Sequence, residues 1–325
     1  MRNKAIFLLL LIILGCQNKP TAPAQLPFRV AFNTWIGYSP LVLADKKGFL
    51  KEEGLTVEIS MLEGVAEKNS ALIKGTVDAV GHTADSAVVS AASGVDGEVV
   101  YIFDLSWGAD GLVAGKNVRS LHDLKGRKVA LEPGFTGHFF FLTLLKDAGM
   151  SPSDVQIVPM ETGIAGSTFV AHGVDAAETW QPWLGKVEKM PWAKVLYSSA
   201  DKPGRIVDVL YMNRKTIDAR HDDVVKLVRA MAKATQWYQG HKDEGDAIMA
   251  QFWKLSPQEQ QETVSGIRFM NLQQNRDFFG TADKPGQLYT ATKDAADLWL
   301  QNGVISHPVD AKRLVAFGVM DAATK

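Results

Sequence analysis

Hydrophobic positions alternate at the start of the mature part of the chain, then fall into a helical period, and the switch recurs. Residues 29–35, RVAFNTW, alternate and carry Val, Phe and Trp, which predicts a strand; Gly37 to Phe49 follows with Leu41, Ala44 and Phe49 at helical spacing. Leu55 to Met61 predicts a second strand, Glu67 to Lys74 a short helix and Asp78 to Gly81 a third strand. Glu98 to Asp104, EVVYIFD, is nearly continuous in apolar residues, the pattern of a strand buried on both faces. Asp110 to Ala114 reads as a crossing into a second lobe, which opens on a capped turn at Ser120 to Gly126. Strands are expected at Lys128 to Glu132, Asp154 to Met160, Ala176 to Trp180 and Lys194 to Ser198, with a helix directly after the first. Ile206 to Asn213, IVDVLYMN, is a second apolar strand that returns the chain to the first lobe. Beyond Ala219 the chain reads as almost wholly helical, with Val224, Leu227, Val228, Met231 and Ala232 on one stripe and helical character continuing to Leu298. Strands alternating with helices, then helices alone, predict an α/β protein of two lobes with a helical C-terminal flank.

The two lobes echo each other. Leu72 to Asp85, LIKGTVDAVGHTAD, is matched by Val170 to Trp183, VAHGVDAAETWQPW. In each, an apolar run ends in a basic residue and a glycine, a Val-Asp-Ala strand start follows, and a polar loop holds a carboxylate, Asp85 in one copy and Glu178 in the other. Upstream, residues 37–59 and 134–158 each run through a glycine turn, an amphipathic helix, a break and a strand. Such repetition suggests two similarly built units. The division that follows is residues 28–108 plus 209–325 for the first, discontinuous lobe and 109–208 for the second. Two crossings would join them, so that they can close about a hinge.

The N-terminal residues follow another pattern. Arg2 and Lys4 precede the apolar run Ala5 to Leu14, too short to span a bilayer and suited to the core of a secretory signal, residues 1–15. Ile13-Leu14-Gly15-Cys16 resembles the lipobox of bacterial lipoproteins, in which the cysteine becomes the lipidated first residue; the competing reading is a plain secretory signal with an incidental cysteine. Residues 16–27, with Pro20 and Pro23, then read as a tether. The protein is therefore expected outside the cytoplasm, anchored to a bacterial membrane through Cys16.

Composition removes several classes of chemistry. With 35 basic and 36 acidic side chains the formal charge is −1, which offers no footprint for nucleic acid. Cys16 is the one cysteine, so the body of the chain has neither a disulfide nor thiolate chemistry. The seven histidines, at 82, 122, 138, 172, 221, 241 and 307, show no metal-ligand spacing, and HExxH and CxxC are absent. Gly163-Ile-Ala-Gly166 lacks the lysine of a phosphate loop, and no G-x-S-x-G elbow occurs. No metal, no cofactor and no enzymatic activity are expected.

In open α/β sheets ligands bind beyond the carboxyl ends of strands. Those places hold Trp35, Tyr38 and Ser39; His82 and Asp85; Asp104, Trp107 and Asp110; Glu132, Thr136 and His138; Glu178, Trp180 and Trp183; and Asp208. Carboxylates also cap helices, and Asp78 and Asp123 are set aside as caps. The remaining stretches carry a resemblance. TWIGYSPLVLADKKGFLKEEGLTVEI, LIKGTVDAVG, SLHDLKGRKVALEPGFTGHFFFLTLLKDAG and GVDAAETWQPW resemble the solute-binding proteins of nitrate, sulfonate and taurine ABC importers, over roughly Phe28 to Ala219. The resemblance implies a two-lobed periplasmic-binding-protein (Venus-flytrap) fold, a small-molecule solute between the lobes, a permease and an ATPase as partners, and a monomer. The iron-binding cysteines of the related thiamine-pyrimidine synthases are missing. An exported enzyme and a receptor-signalling module are the alternative uses of such a fold.

The candidate cleft holds six acids, Asp85, Asp104, Asp110, Glu132, Glu178 and Asp208, and four tryptophans, Trp35, Trp107, Trp180 and Trp183, with Arg205, His82 and His138 as its basic company. Buried carboxylates without a cation are costly, which favours a cationic or zwitterionic nitrogen compound of amine or guanidinium type. The alternative is nitrate, taurine or an alkylsulfonate held by backbone N–H groups at Gly37 to Ser39 and Thr136 to His138.

Overall fold

The computed structural model describes residues 26–325, so the export signal and Cys16 lie outside the described residues. The chain begins with β1 (Phe28–Phe32), α1 (Ser39–Lys46), α2 (Phe49–Glu52), β2 (Val57–Met61), α3 (Val65–Lys74), β3 (Ala79–Thr83), α4 (Ala84–Ala92) and the long β4 (Gly97–Ser106). It then crosses into β5 (Asp110–Gly115), β6 (Lys128–Leu131), α5 (Thr136–Asp147), β7 (Gln156–Pro159), α6 (Thr162–Val170), β8 (Ala176–Trp180), α7 (Trp183–Glu188) and β9 (Ala193–Ser198). It returns in β10 (Val207–Asn213). The remainder is α8 (Arg214–Ala219), α9 (His221–Gly240), α10 (Lys242–Trp253), α11 (Pro257–Ser265), β11 (Ile267–Phe269), α12 (Leu272–Phe279), α13 (Gln287–Gln301) and α14 (Phe317–Ala323).

Two sheets result, ordered β11-β4-β10-β3-β1-β2 and β7-β6-β8-β5-β9. Each has a parallel trio, β2-β1-β3 or β7-β6-β8, built from two right-sized strand–helix–strand units. Beside each trio runs an antiparallel strand that has just crossed from the other sheet, β10 in the first and β5 in the second. The repeated Val-Asp-Ala has a local cause. Asp78 accepts from the backbone N–H of Arg29 at the start of β1, and Asp175 accepts from that of Lys128 at the start of β6, at 2.8 and 2.9 Å. Each aspartate thus satisfies the first donor of the neighbouring parallel strand, a role different from the helix cap expected of Asp78; it also pairs with the Arg29 guanidinium. Asp123 does cap, closing a box with Ser120.

Three expectations are corrected. Asp110 to Ala114 is a buried strand wedged between β8 and β9, and the crossing is the shorter stretch before it. Asp85 lies in the first turn of α4, which starts at the end of β3 without a loop, while Glu178 sits mid-strand in β8; the two acids are not equivalent. The C-terminal region is not wholly helical, because β11 adds to the edge of β4 in antiparallel register, Ile267 opposite Ser106. Three residues are too few for a periodic signal, and their partner lies far away in sequence. Among the described residues no helix is long and apolar enough to cross a membrane.

Candidate functional site

The two antiparallel seams bring acids together in pairs. On the first sheet Asp208 of β10 stands directly opposite Asp104 of β4 and also opposite Thr83 at the end of β3. On the second, Asp110 opposes Trp180 and Leu112 opposes Glu178, so Asp110, Glu178 and Trp180 share one face by the two-residue period of a strand. Asp110 links the two pairs, near enough to Asp104, Asp208 and Glu178 for its charge to act on each. Each is nearly inaccessible, with 0% exposure at Asp104, 6% at Asp110, 1% at Glu178 and 3% at Asp208.

The helix starts close the site. Gly37 opens the turn before α1, and a Cβ there would overlap both the Asp104 carboxylate and Trp35 Nε1, so both groups occupy the space that only glycine leaves. At the start of α5, a Cβ on Gly137 would stand 2.9 Å from the Glu178 Cβ, which seats this helix end directly on the acid. Thr136 Oγ1 lies within reach of Thr83 Oγ1 and, at 3.1 Å, of Asp85 Oδ1, linking the two lobes. Trp35 and Trp180 meet edge-on with centroids 6.3 Å apart, and Phe135 stands 5.9 Å from Trp180.

Hydrogen bonding within the cluster is incomplete. Both oxygens of Asp104, Oδ2 of Asp110, Oε1 of Glu178, Oδ2 of Asp208 and Nε1 of Trp35 are buried without a hydrogen bond of ordinary geometry, although Trp35 and Asp208 stand close enough to Asp104 to favour its charged form. The electrostatics follow from that. Burial raises the Asp85 carboxyl to about 6, against the hydrogen bonds it receives, and raises Asp110 to about 7. Asp104, Glu178 and Asp208 are raised well above the ordinary range, first by burial and then by the charge of Asp110, with Asp104 adding to the rise at Asp208. The Tyr38 hydroxyl, buried among Asp208, Asp104, Asp110 and Asp85, is raised for the same reasons. It donates to Asn33 Oδ1 at 3.3 Å.

Sequence reasoning missed one residue here. Lys68 of α3 is fully buried, donates from Nζ to Asn33 Oδ1 and to the Gly81 carbonyl (2.8 Å), and lies 5.5 Å from the centre of the Phe135 ring. Burial lowers it to about 7, against the charges of Glu132, Glu63 and Asp208. A signal was available: Lys68 falls on the stripe of α3 defined by Val65 and Leu72.

Other candidates do not join the cluster. Trp107 is 40% exposed and packs under Arg268, and Trp183 lies under Lys186 and against Gly166. Glu132 turns to Thr162, accepting from its backbone N–H and hydroxyl at 3.3 Å, and so serves the start of α6. His138 accepts from the Gly134 N–H at 3.2 Å and packs on Trp299, with burial lowering it to about 4. His82 is buried against Ser90 and held neutral by burial and by Lys68. Ser39 donates to the Ile36 carbonyl and accepts from Trp253 Nε1 at 2.8 Å. Arg205 pairs with Asp294 at the surface. Among the described residues no three His, Asp or Glu side chains are grouped so as to hold a metal ion.

With this geometry in hand, similarity to known proteins can be placed. Residues 35–245 match the family model described as NMT1/THI5 like. The taurine-binding periplasmic protein of Escherichia coli is 27% identical over 288 residues, covering 85% of this chain and 87% of that protein. The periplasmic aliphatic sulphonate binding protein SsuA of Escherichia coli superposes with a TM-score of 0.74 at 17% identity, covering 91% of this chain and 99% of SsuA. The periplasmic nitrate-binding protein NrtA of Synechocystis PCC 6803 superposes with a TM-score of 0.74 at 14% identity, over 92% and 88% of the two chains. The two-sheet α/β architecture is the fold of these periplasmic binding proteins.

Proposed function

Since the chain belongs to the NMT1/THI5-like family, we propose that it is the extracytoplasmic solute-binding component of an ABC importer, and that it carries a small nitrogen cation between its lobes. Solute-binding proteins of this architecture hand their ligand to a permease driven by an ATPase, and the chain acts as a carrier rather than an enzyme. The observation that supports the cation is the set of unpartnered carboxylate oxygens on Asp104, Asp110, Glu178 and Asp208, set against a single buried lysine that is already engaged. A cation between the seams satisfies these oxygens and offsets the burial of their charges. An anion would instead require all of these acids to keep their protons, and apart from such carboxyls Trp35 Nε1 is the one unpartnered donor in the cluster. The proposed ligand residues are therefore Trp35, Tyr38, Asp104, Asp110, Glu178, Trp180 and Asp208, with Asp85 and Thr136 closing the lobes over them.

The lobes are taken as residues 28–108 plus 209–325 and 109–208, moving about the two crossings. Lipid attachment at Cys16 completes the proposal; mass spectrometry of the exported protein should show a diacylated Cys16, and an unmodified mature N-terminus refutes it. The charge of the ligand is tested by a thermal-shift screen at pH 8 over amines, guanidines, nitrate, taurine and alkylsulfonates. A true ligand at about a hundred times its Kd stabilises by about 2.7 kcal/mol. Stabilisation by the cations supports the reading, and stabilisation by the anions alone overturns it.

A further inference from the structure

The number and placement of the unpartnered acceptors go further than the sign of the charge. Resting on the cation reading of the same site, we infer that the cleft selects a compact guanidinium-type cation over alkylammonium and quaternary ammonium ions. Five buried carboxylate oxygens lack a hydrogen bond of ordinary geometry: Asp104 Oδ1 and Oδ2, beside which Trp35 and Asp208 stand, Asp110 Oδ2, Glu178 Oε1 and Asp208 Oδ2. A primary ammonium has three N–H groups, all directed away from its carbon, and a quaternary ammonium has none. The guanidinium ion carries six N–H donors in one plane, paired along its edges to meet carboxylates two at a time.

Placement agrees with the count. Asp104 and Asp208 line one side, on β4 and β10, while Asp110 and Glu178 line the other, on β5 and β8. Acceptors on opposite sides suit a planar ion whose donors radiate outward. All four acids are closed off from solvent. Trp35 and Trp180, edge-on to each other, supply aromatic surface against which a planar guanidinium stacks. The ligand brings one positive charge to four acids whose carboxyls burial holds toward the protonated form, so part of the cluster stays neutral when the ligand is bound.

The test is isothermal titration calorimetry of the mature full-length protein at pH 8 and constant ionic strength, with millimolar or lower guanidinium chloride, methylguanidinium, methylammonium, tetramethylammonium and taurine. Guanidinium is expected to bind tightest. Methylammonium should be weaker by about tenfold or more, and tetramethylammonium by about a hundredfold or more, because each acceptor left without a donor in a buried site weakens binding severalfold to a hundredfold. If methylammonium or tetramethylammonium binds as tightly as guanidinium, the selectivity is wrong while the cation reading stands. Taurine bound more tightly than every cation, or guanidinium that does not bind at all, overturns this inference, and the taurine result overturns the cation reading with it.

Discussion

Asp208→Asn separates a ligand-binding acid from a structural one, because the two roles predict opposite signs for stability. Asp208 stands directly opposite Asp104 on the adjacent antiparallel strand, and both are buried. Opposed side chains in such a pair have Cβ atoms about 5 Å apart. Two full charges at that distance repel by about 3 kcal/mol at an effective dielectric constant of about 20. The ligand-free protein avoids part of this by retaining a proton on the pair, the direction in which burial and Asp110 push both groups. The isosteric amide removes the remainder, so at pH 8 the ligand-free variant should gain about 1–2 kcal/mol, or about 2–8 °C in Tm. The same change deletes a charged acceptor from the site, and guanidinium binding should weaken by about 1.5–3 kcal/mol, roughly 10- to 150-fold. Differential scanning fluorimetry of the ligand-free protein and titration calorimetry of the same preparation read the two effects. A variant that is less stable without ligand would make Asp208 structural, and one that binds guanidinium as tightly as the native protein would place the ligand elsewhere.

Four further outcomes are expected. Affinity for the cation should rise between pH 5 and pH 8 as Asp85, at about 6, and Asp110, at about 7, give up their protons to make room for the ligand's charge; calorimetry in buffers of different ionisation heat should detect proton release, and a flat profile would refute it. Because Asp110 has a raised pKa in the fold, its contribution to stability is full below about pH 4 and is lost as pH rises through about 7, so Asp110→Asn should be about as stable as the native protein at pH 4 and more stable at pH 8 in urea melts. Gly37→Ala should weaken cation binding by about tenfold or more with a cooperative melt retained, since the new Cβ displaces the Asp104 carboxylate and Trp35 while the strand beneath is untouched; unchanged affinity would remove Gly37 from the site. Trp180→Leu should cost a smaller cation–π contribution of about 0.5–2 kcal/mol, measured as a 2- to 30-fold loss in affinity.

Local pattern determined much of this protein. The alternation in RVAFNTW, the apolar runs EVVYIFD and IVDVLYMN, and the helical stripe after Ala219 all correspond to elements of the fold, because side-chain period is a property of neighbouring residues. The repeated Val-Asp-Ala marked equivalent strand starts, since the same hydrogen bond to a parallel neighbour is made at Asp78 and at Asp175. The acids of the cleft were visible as acids, but not as partners. Asp104 meets Asp208, and Asp110 shares a face with Glu178, only because the chain crosses between sheets twice and each crossing strand is inserted antiparallel beside a distant one. Lys68 was read as part of a short helix and Trp107 and Trp183 as cleft walls, whereas burial, set by what packs on each element, turned the lysine inward and the two tryptophans away. β11 has no signal of its own in three residues and exists because the edge of β4 offers unpaired backbone groups. Sequence thus determines what each segment can form, while the charge and shape of the site arise from register between strands separated by many residues, where a shift of one position would turn every acid to the other face.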